Sequence, residues 1–381
     1  MLAPRDIALT TEWRPLGGLA GIAAEWRALA RRAVEPNVFY EPAFALAAAP
    51  ALGPDAGAVL VRAVESSRLI GLFPCRIKAR RYGIRLPVLA GWTHPFGPLG
   101  TPLVDGEALH AAIAAFLDHV ADDPALPKLL LMSYLVEDGP VAVALTDAIA
   151  QRGGRVDRFG RHQRALLAPA EDRAGYLDAA LGRKRRKELN RQRRRLDESG
   201  GVMFSLAREP AEVAHAMADF LALEARGWKG TAGTAAAQSA AIRPFMDAAV
   251  AGLAAQGQAR VARLLHDDRA IAAGVLLTSG RGAWFWKIAY DENAARASPG
   301  VQLTVDLSEA VLNDPEIDWC DSCATAGHAM IDSLWRERRP MADVLIALEP
   351  GLDFSIARRL ETLRRGAVRV VKRARQLVQP K

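Results

Sequence analysis

The chain of 381 residues is 50% apolar and 24% charged, with a formal net charge of +7. That balance excludes a disordered chain, and the length points to two hydrophobic cores rather than one. No apolar run approaches the roughly 18–20 residues of a membrane span. Three cysteines are too few for a disulfide framework, and Asp6 and Glu12 stand where an apolar leader would lie, so a reduced, cytoplasmic protein is expected.

In chain order, Leu19, Ile22, Ala23, Trp26, Leu29 and Ala30 recur at helical spacing and predict a helix over 18–32. A loop over 35–42 carries Asn37, Phe39 and Tyr40. Residues 57–63 and 68–79 read as a strand pair around a polar turn, and 87–92 as a further strand entering a Pro/Gly-rich loop at 94–102. A helix over 107–121, a strand over 128–133, a helix over 141–152 and a strand near 156–167 complete the first half.

A basic run then separates the halves. It is Arg183-Lys-Arg-Arg-Lys187 with Arg191, Arg193, Arg194 and Arg195, built of good helix formers and stopped by Gly200-Gly201. The second half restarts with a strand at 202–207, a helix at 212–226, a glycine-rich loop at 227–234 and a helix at 241–255. Three strands follow at 259–266, 270–279 and 283–290, then a helix at 300–312, a short strand at 317–320, a helix at 328–337 and a strand at 343–348. From 351 onward, Ile356, Leu360, Leu363, Ala367, Val370, Ala374 and Leu377 form one apolar stripe of a basic amphipathic helix.

Each half therefore reads β, α, (α), β, β, β, α, β, α, β. Crossover helices beside an antiparallel meander give an α/β class (α+β, with mixed sheets). The expected blocks are an N-terminal domain over 1–168, a basic connecting helix over 169–201, a second domain over 202–350 and the basic C-terminal helix over 351–381. The basic run is a solvated helix face or a contact for an acidic partner, a phosphate-rich ligand or a membrane surface; it lacks interleaved aromatics, and no DNA partner is expected.

No Walker loop, GxGxxG, HExxH or GxSxG occurs. Cys320-x-x-Cys323 with His328 supplies part of a zinc set, but the remaining cysteine, Cys75, lies in the other half. Small buried thiols and no metal are expected.

An ordered set of motifs remains. It comprises Arg183-Lys-Arg-Arg-Lys-Glu-Leu, Leu223-Glu-Ala-Arg-Gly-Trp-Lys-Gly230, Trp286-Lys-Ile-Ala-Tyr-Asp291, Ser298-Pro-Gly-Val-Gln-Leu303, Asp321-Ser-Cys-Ala324 and Leu334-Trp-Arg336. Over about 160–350 this resembles the GNAT superfamily, in the branch of acetyltransferases associated with cellulose biosynthesis. That branch is similar to Fem-type aminoacyltransferases, which carry two GNAT-like domains in tandem; the first half matches them mainly by element order. GNAT enzymes grip the acyl-CoA pyrophosphate with a Q/R-x-x-G-x-G/A turn, and Arg296-Ala-Ser-Pro-Gly300-Val-Gln302 keeps part of it.

The resemblance implies transfer of an acetyl or other acyl group from coenzyme A to an amine acceptor, be it a small molecule, a peptide or a sugar. The strand holding Ile288 would offer backbone N–H groups to the acyl carbonyl, and the helix start at Ser298, Pro299, Gly300, Val301 and Gln302 would face the pyrophosphate. Asp321, at a strand end, is expected as general base, or else as a helix cap; His328 is the second candidate for proton transfer, or else a structural helix start. Tyr290 would protonate the leaving thiolate, or else serve in packing. Trp228 and Lys229 would form an acceptor wall, with Asn37, Phe39 and Tyr40 in a similar loop of the first half. Trp286 and Lys287 lie on opposite faces of one strand, so one of them would face the cleft. Two further readings stay open: a Fem-like transferase using aminoacyl-tRNA held by Arg183–Arg195, and a non-catalytic GNAT-like binding protein of an envelope or polysaccharide pathway.

Overall fold

The computed structural model describes residues 8–81, 83–169, 173, 175–227, 230, 233 and 236–378, with side chains of the last helix described to residue 368. The chain runs β1 (Leu9–Pro15), α1 (Ala23–Arg32), α2 (Pro42–Leu52), β2 (Ala56–Ala63), β3 (Leu69–Lys78), β4 (Val88–Gly91), β5 (Leu103–Val104), α3 (Leu109–Asp122), β6 (Leu129–Val136), α4 (Pro140–Gln151) and β7 (Arg155–Leu167). It continues through α5 (Tyr176–Gly200), β8 (Val202–Ala207), α6 (Pro210–Arg226), α7 (Ile242–Ala254), β9 (Ala259–His266), β10 (Arg269–Ser279) and β11 (Gly282–Tyr290). The last elements are α8 (Pro299–Leu312), β12 (Trp319–Asp321), α9 (Ala329–Asp332), β13 (Glu337–Ala347) and α10 (Leu352–Val378). This is a mixed α/β fold, and the element order expected for each half is present, with β5 added in the first.

Contacts group the chain into two compact units: residues 1–40, 53–162 and 340–381 in the first, 41–52 and 163–339 in the second. The grouping is interleaved where the sequence suggests contiguous blocks. In the first unit the strands are ordered β1-β2-β3-β4-β6-β13, with β5 beside β3, and β4 and β6 run parallel. Its core stacks Phe73 on Phe116 of α3, ring centroids 4.2 Å apart. In the second unit the order is β7-β12-β11-β10-β9-β8, and β11 and β12 are parallel. Phe285 packs beside Trp335 in the cluster that holds Leu303 and Leu307 of α8, whereas Trp286 meets Phe44 of α2 and Phe245 of α7. Adjacent residues of β11 thus bury into two different helical layers.

Several boundaries depart from the expected ones for physical reasons. Residues 16–22 form a 3₁₀ helix rather than the first turns of α1, because Gly17, Gly18 and Gly21 weaken α-helical propensity there. The sequence Pro-Ala-Phe-Ala-Leu-Ala-Ala-Ala-Pro-Ala-Leu of α2 is nearly all apolar and shows no period, so no helix was expected. The helix expected over 328–337 shrinks to α9; β13 begins at Glu337 and runs through Pro340, which has no N–H for a helix. α10 buries a face different from the expected stripe. Phe354, Ala357 and Glu361 are buried, while Ile356 and Leu363 are exposed, because Glu361 binds Arg81 (2.8 Å) and Arg365 (2.5 Å).

Candidate active site

In the second unit β11 and β12 touch over three residue pairs: Gly282 with Trp319, Ala283 with Cys320, and Trp284 with Asp321. Beyond Trp284, β11 continues along β10 to Tyr290, while β12 ends at Asp321. Its far edge from Phe285 to Tyr290 is left without a described strand partner, which opens a notch with backbone groups along one wall. A β-bulge lies in the same stretch: Val275 pairs with Lys287 and Leu276 with Phe285, so Trp286 is the extra residue.

The start of α8 closes one end of this arrangement. Ser298 sits in the left-handed region at φ 51°, no side chain caps the helix, and its first turn holds no acid. Pro299 and Gly300 are buried, and a Cβ on Gly300 would lie 3.0 Å from the Tyr290 ring. Glycine here is what lets the helix start approach Tyr290, whose side chain remains open to solvent. Val301 is half-buried. Gln302 is buried; its Nε2 donates to the Ala297 carbonyl at 2.7 Å, and its Oε1 has no hydrogen-bond partner among the described residues. An uncapped, acid-free helix start suits an anion. Ile288 is half-buried on β11.

Asp321, expected as a general base or else a helix cap, ends β12. It is fully buried, and its Oδ2 accepts from Arg339 at 3.1 Å and Arg164 at 3.4 Å. Its Oδ1 accepts from the Cys323 backbone N–H at 2.8 Å. The carboxylate is charge-compensated by two guanidinium groups and turned toward its own loop. Arg339 also lies over the Trp319 ring, 3.9 Å from its centroid. Burial, and then the Asp321 charge, push the Cys323 thiol up, which opposes a thiolate nucleophile. His328 is exposed, and its side chain makes no capping hydrogen bond to α9.

The alternation expected for Trp286 and Lys287 is broken by the bulge. Trp286 is buried between Phe44 (5.5 Å) and Phe245 (6.3 Å), and the Lys287 ammonium lies 5.8 Å from the Trp286 ring. Trp228 and Lys229 lie outside the described residues. Asn37, Phe39 and Tyr40, expected on a substrate wall, are interior supports of the first unit. Asn37 Nδ2 donates to the carbonyls of Thr101 (2.8 Å) and Leu99 (3.2 Å), and its Oδ1 accepts from the Phe39 N–H (3.1 Å). The Tyr40 hydroxyl donates to the Trp92 carbonyl at 2.5 Å, and burial pushes that phenol well up. All three are at most 2% exposed.

Two features escaped the sequence reading. Arg164 is a lone buried cation among the apolar residues ending β7, a signal visible only once its strand is set beside Asp321. Glu224 lies inside the Leu-Glu-Ala-Arg-Gly-Trp motif, on the last turn of α6, and is 6% exposed. Its Oε2 accepts from the Ala236 N–H at 2.9 Å. With Gly227, Ile288, Tyr290 and Glu292 it lines a small cavity of about 40 Å³ at the open end of β11. A buried glutamate inside a largely apolar helix face was the available signal.

Residues 183–329 match the family model of an acetyltransferase (GNAT) domain. No curated protein matches the chain. Among solved structures, the C-terminal domain (DUF2156) of a putative lysylphosphatidylglycerol synthetase from Agrobacterium fabrum is similar at TM-score 0.56 and 14% identity, over 90% of this chain and 96% of that one. FemX is similar at TM-score 0.55 and 9% identity, over 89% and 98%. A conserved protein of unknown function from Bacteroides thetaiotaomicron gives 0.54 and 10%, over 89% and 100%. At such identities the likeness is one of fold. The match over residues 183–329 supports an acyltransferase by class. Among the described residues, no helix is long and apolar enough to cross a membrane.

Proposed function

We propose that the protein is an acyl-CoA-dependent N-acyltransferase, moving an acetyl or other acyl group from coenzyme A to an amine by direct transfer. The observation that carries this reading is the parting of β11 and β12 after Trp284, beside an uncapped helix start at Pro299-Gly300. The unpaired edge of β11 is suited to hold the thioester, with its N–H groups aimed at the carbonyl oxygen where negative charge develops. The amine attacks the carbonyl carbon, the C–S bond breaks, and the thiolate takes a proton. Tyr290, solvent-accessible and against Gly300, is the proton donor in this reading. Glu224 replaces Asp321 as the base, drawing the amine proton through a water that the cavity has room to hold. The motif likeness to the cellulose-biosynthesis-associated branch supports the same donor.

The test is thermal unfolding with and without millimolar coenzyme A, acetyl-CoA and a long-chain acyl-CoA. A ligand at ~100 times its dissociation constant stabilises the folded state by ~2.7 kcal/mol. A rise in Tm is expected, its chain-length dependence naming the donor; no rise with any of the three overturns the reading. Gly300→Val should weaken acyl-CoA binding about tenfold or more, because the branched side chain displaces Tyr290 and covers the helix start. Unchanged affinity by calorimetry would move the donor elsewhere.

A second reading, an aminoacyl-tRNA donor, is supported by α5. Arg183, Lys184, Arg185 and Lys187 form no ion pair with an acid among the described residues, and α5 packs against the segment 292–297 that precedes α8. Charged tRNA binding that falls steeply with salt, with no coenzyme A effect, would favour it.

A further inference from the structure

The first unit repeats the notch of the second. β4 and β6 run parallel over two residue pairs, Leu89 with Leu130 and Ala90 with Leu131, and then part. Between the parted strands lies a cavity of about 780 Å³. Its wall is strongly basic. The β3 side gives Arg76, Lys78 and Arg81, β7 gives Arg158 and Arg161, and α10 gives Arg364 and Arg365.

The acids that meet these groups do not balance them. Asp55 pairs with Arg76 (2.6 Å), and Glu137 with Arg161 (2.5 Å) and Arg158 (3.9 Å). Glu361 serves Arg81, Arg364 and Arg365, and Asp343 serves Arg365. Seven cations against four carboxylates leave a surplus of three positive charges around one hollow. Lys78 has no acid within ion-pair distance among the described residues, and the buried Arg76 Nε has no hydrogen-bond partner among them.

We propose that this cavity binds a phosphorylated small molecule of nucleotide size, its phosphate or diphosphate group taken by Lys78 and the surrounding arginines. Guanidinium forks match phosphate oxygens in pairs, and ligand pockets of ~300–1,000 Å³ hold molecules of that size. Tyr134 and Phe159 supply aromatic faces on the same wall. Tyr134 is held at φ 54°, a conformation costly for an aromatic residue, by the bond from its N–H to Asp343 Oδ1 at 2.8 Å. The crowding of charge is visible on Lys78, whose ammonium is pushed below the ordinary lysine value by loss of hydration first and then by Arg81 and Arg76, although the residue as a whole stays accessible. An anion would relieve that crowding.

This site is independent of the acyl-donor reading, and the test separates the two. Inorganic pyrophosphate, ADP and coenzyme A are titrated by calorimetry into the full chain, its Lys78→Glu variant and its Gly300→Val variant. Pyrophosphate should bind the natural chain, lose about tenfold or more in affinity in Lys78→Glu, and be unchanged in Gly300→Val. Tighter binding of ADP with the same Lys78 dependence identifies a nucleotide; tighter coenzyme A with that dependence identifies its diphosphate; pyrophosphate alone identifies the free anion. No binding of any of the three, indifference to Lys78→Glu, or an equal loss in Gly300→Val overturns the proposal. Should Lys78→Glu fail to fold, Lys78→Met removes the charge, keeps the stem and decides the same comparison.

Discussion

Asp321→Asn is expected to cost about 3–5 kcal/mol of stability, the usual loss when one partner leaves a buried ion network. Arg164 and Arg339 are 2% and 12% exposed, so neither recovers bulk hydration when the carboxylate goes. The shape of the side chain is kept, so the loss reports charge rather than packing. Urea unfolding measures it directly. A double variant, Asp321→Asn with Arg164→Gln, should recover part of the loss, since one stranded cation is removed with its partner. A stability change below about 1 kcal/mol would mean that Asp321 is not the counter-ion of this network. Retained stability with lost turnover would restore it as the base.

The same residue shows what the sequence could and could not carry. An apolar strand ending in aspartate announced a buried carboxylate, and Ile317 and Cys320 around it are indeed in the core. Its partners come from positions 157 and 18 residues away, Arg164 on β7 and Arg339 on β13, and no local pattern links them. The meander of β9, β10 and β11 was legible because alternation and short turns are local properties. The bulge at Trp286 was not, because it arises from pairing with β10. Asn37 and Tyr40 look like loop residues available to a ligand, yet Thr101, Leu99 and Trp92 use up their polar groups from distant segments. The buried face of α10 was misread for the same reason: hydrophobic periodicity favours Ile356 and Leu363, and the charge of Glu361 against Arg81 selects another face.

Glu224→Gln should lower kcat by about 10²–10⁴ while leaving the fold in place, the range expected when a positioned general base is removed. Glutamine keeps an oxygen that accepts the Ala236 N–H, so the loop after α6 retains its anchor. What it loses is the capacity to take a proton. The carboxylate has 6% exposure and shares its cavity with Tyr290 and Ile288, so the base and acid proposed above stand at the same end of β11. Steady-state kinetics should show kcat reduced with KM nearly unchanged. Glu224→Asp, which keeps the carboxylate but shortens its reach, should restore part of the rate. Tyr290→Phe should lower kcat on its own. If Glu224→Gln turns over normally, the amine arrives already deprotonated, and the chain's contribution reduces to the β11 edge and the start of α8.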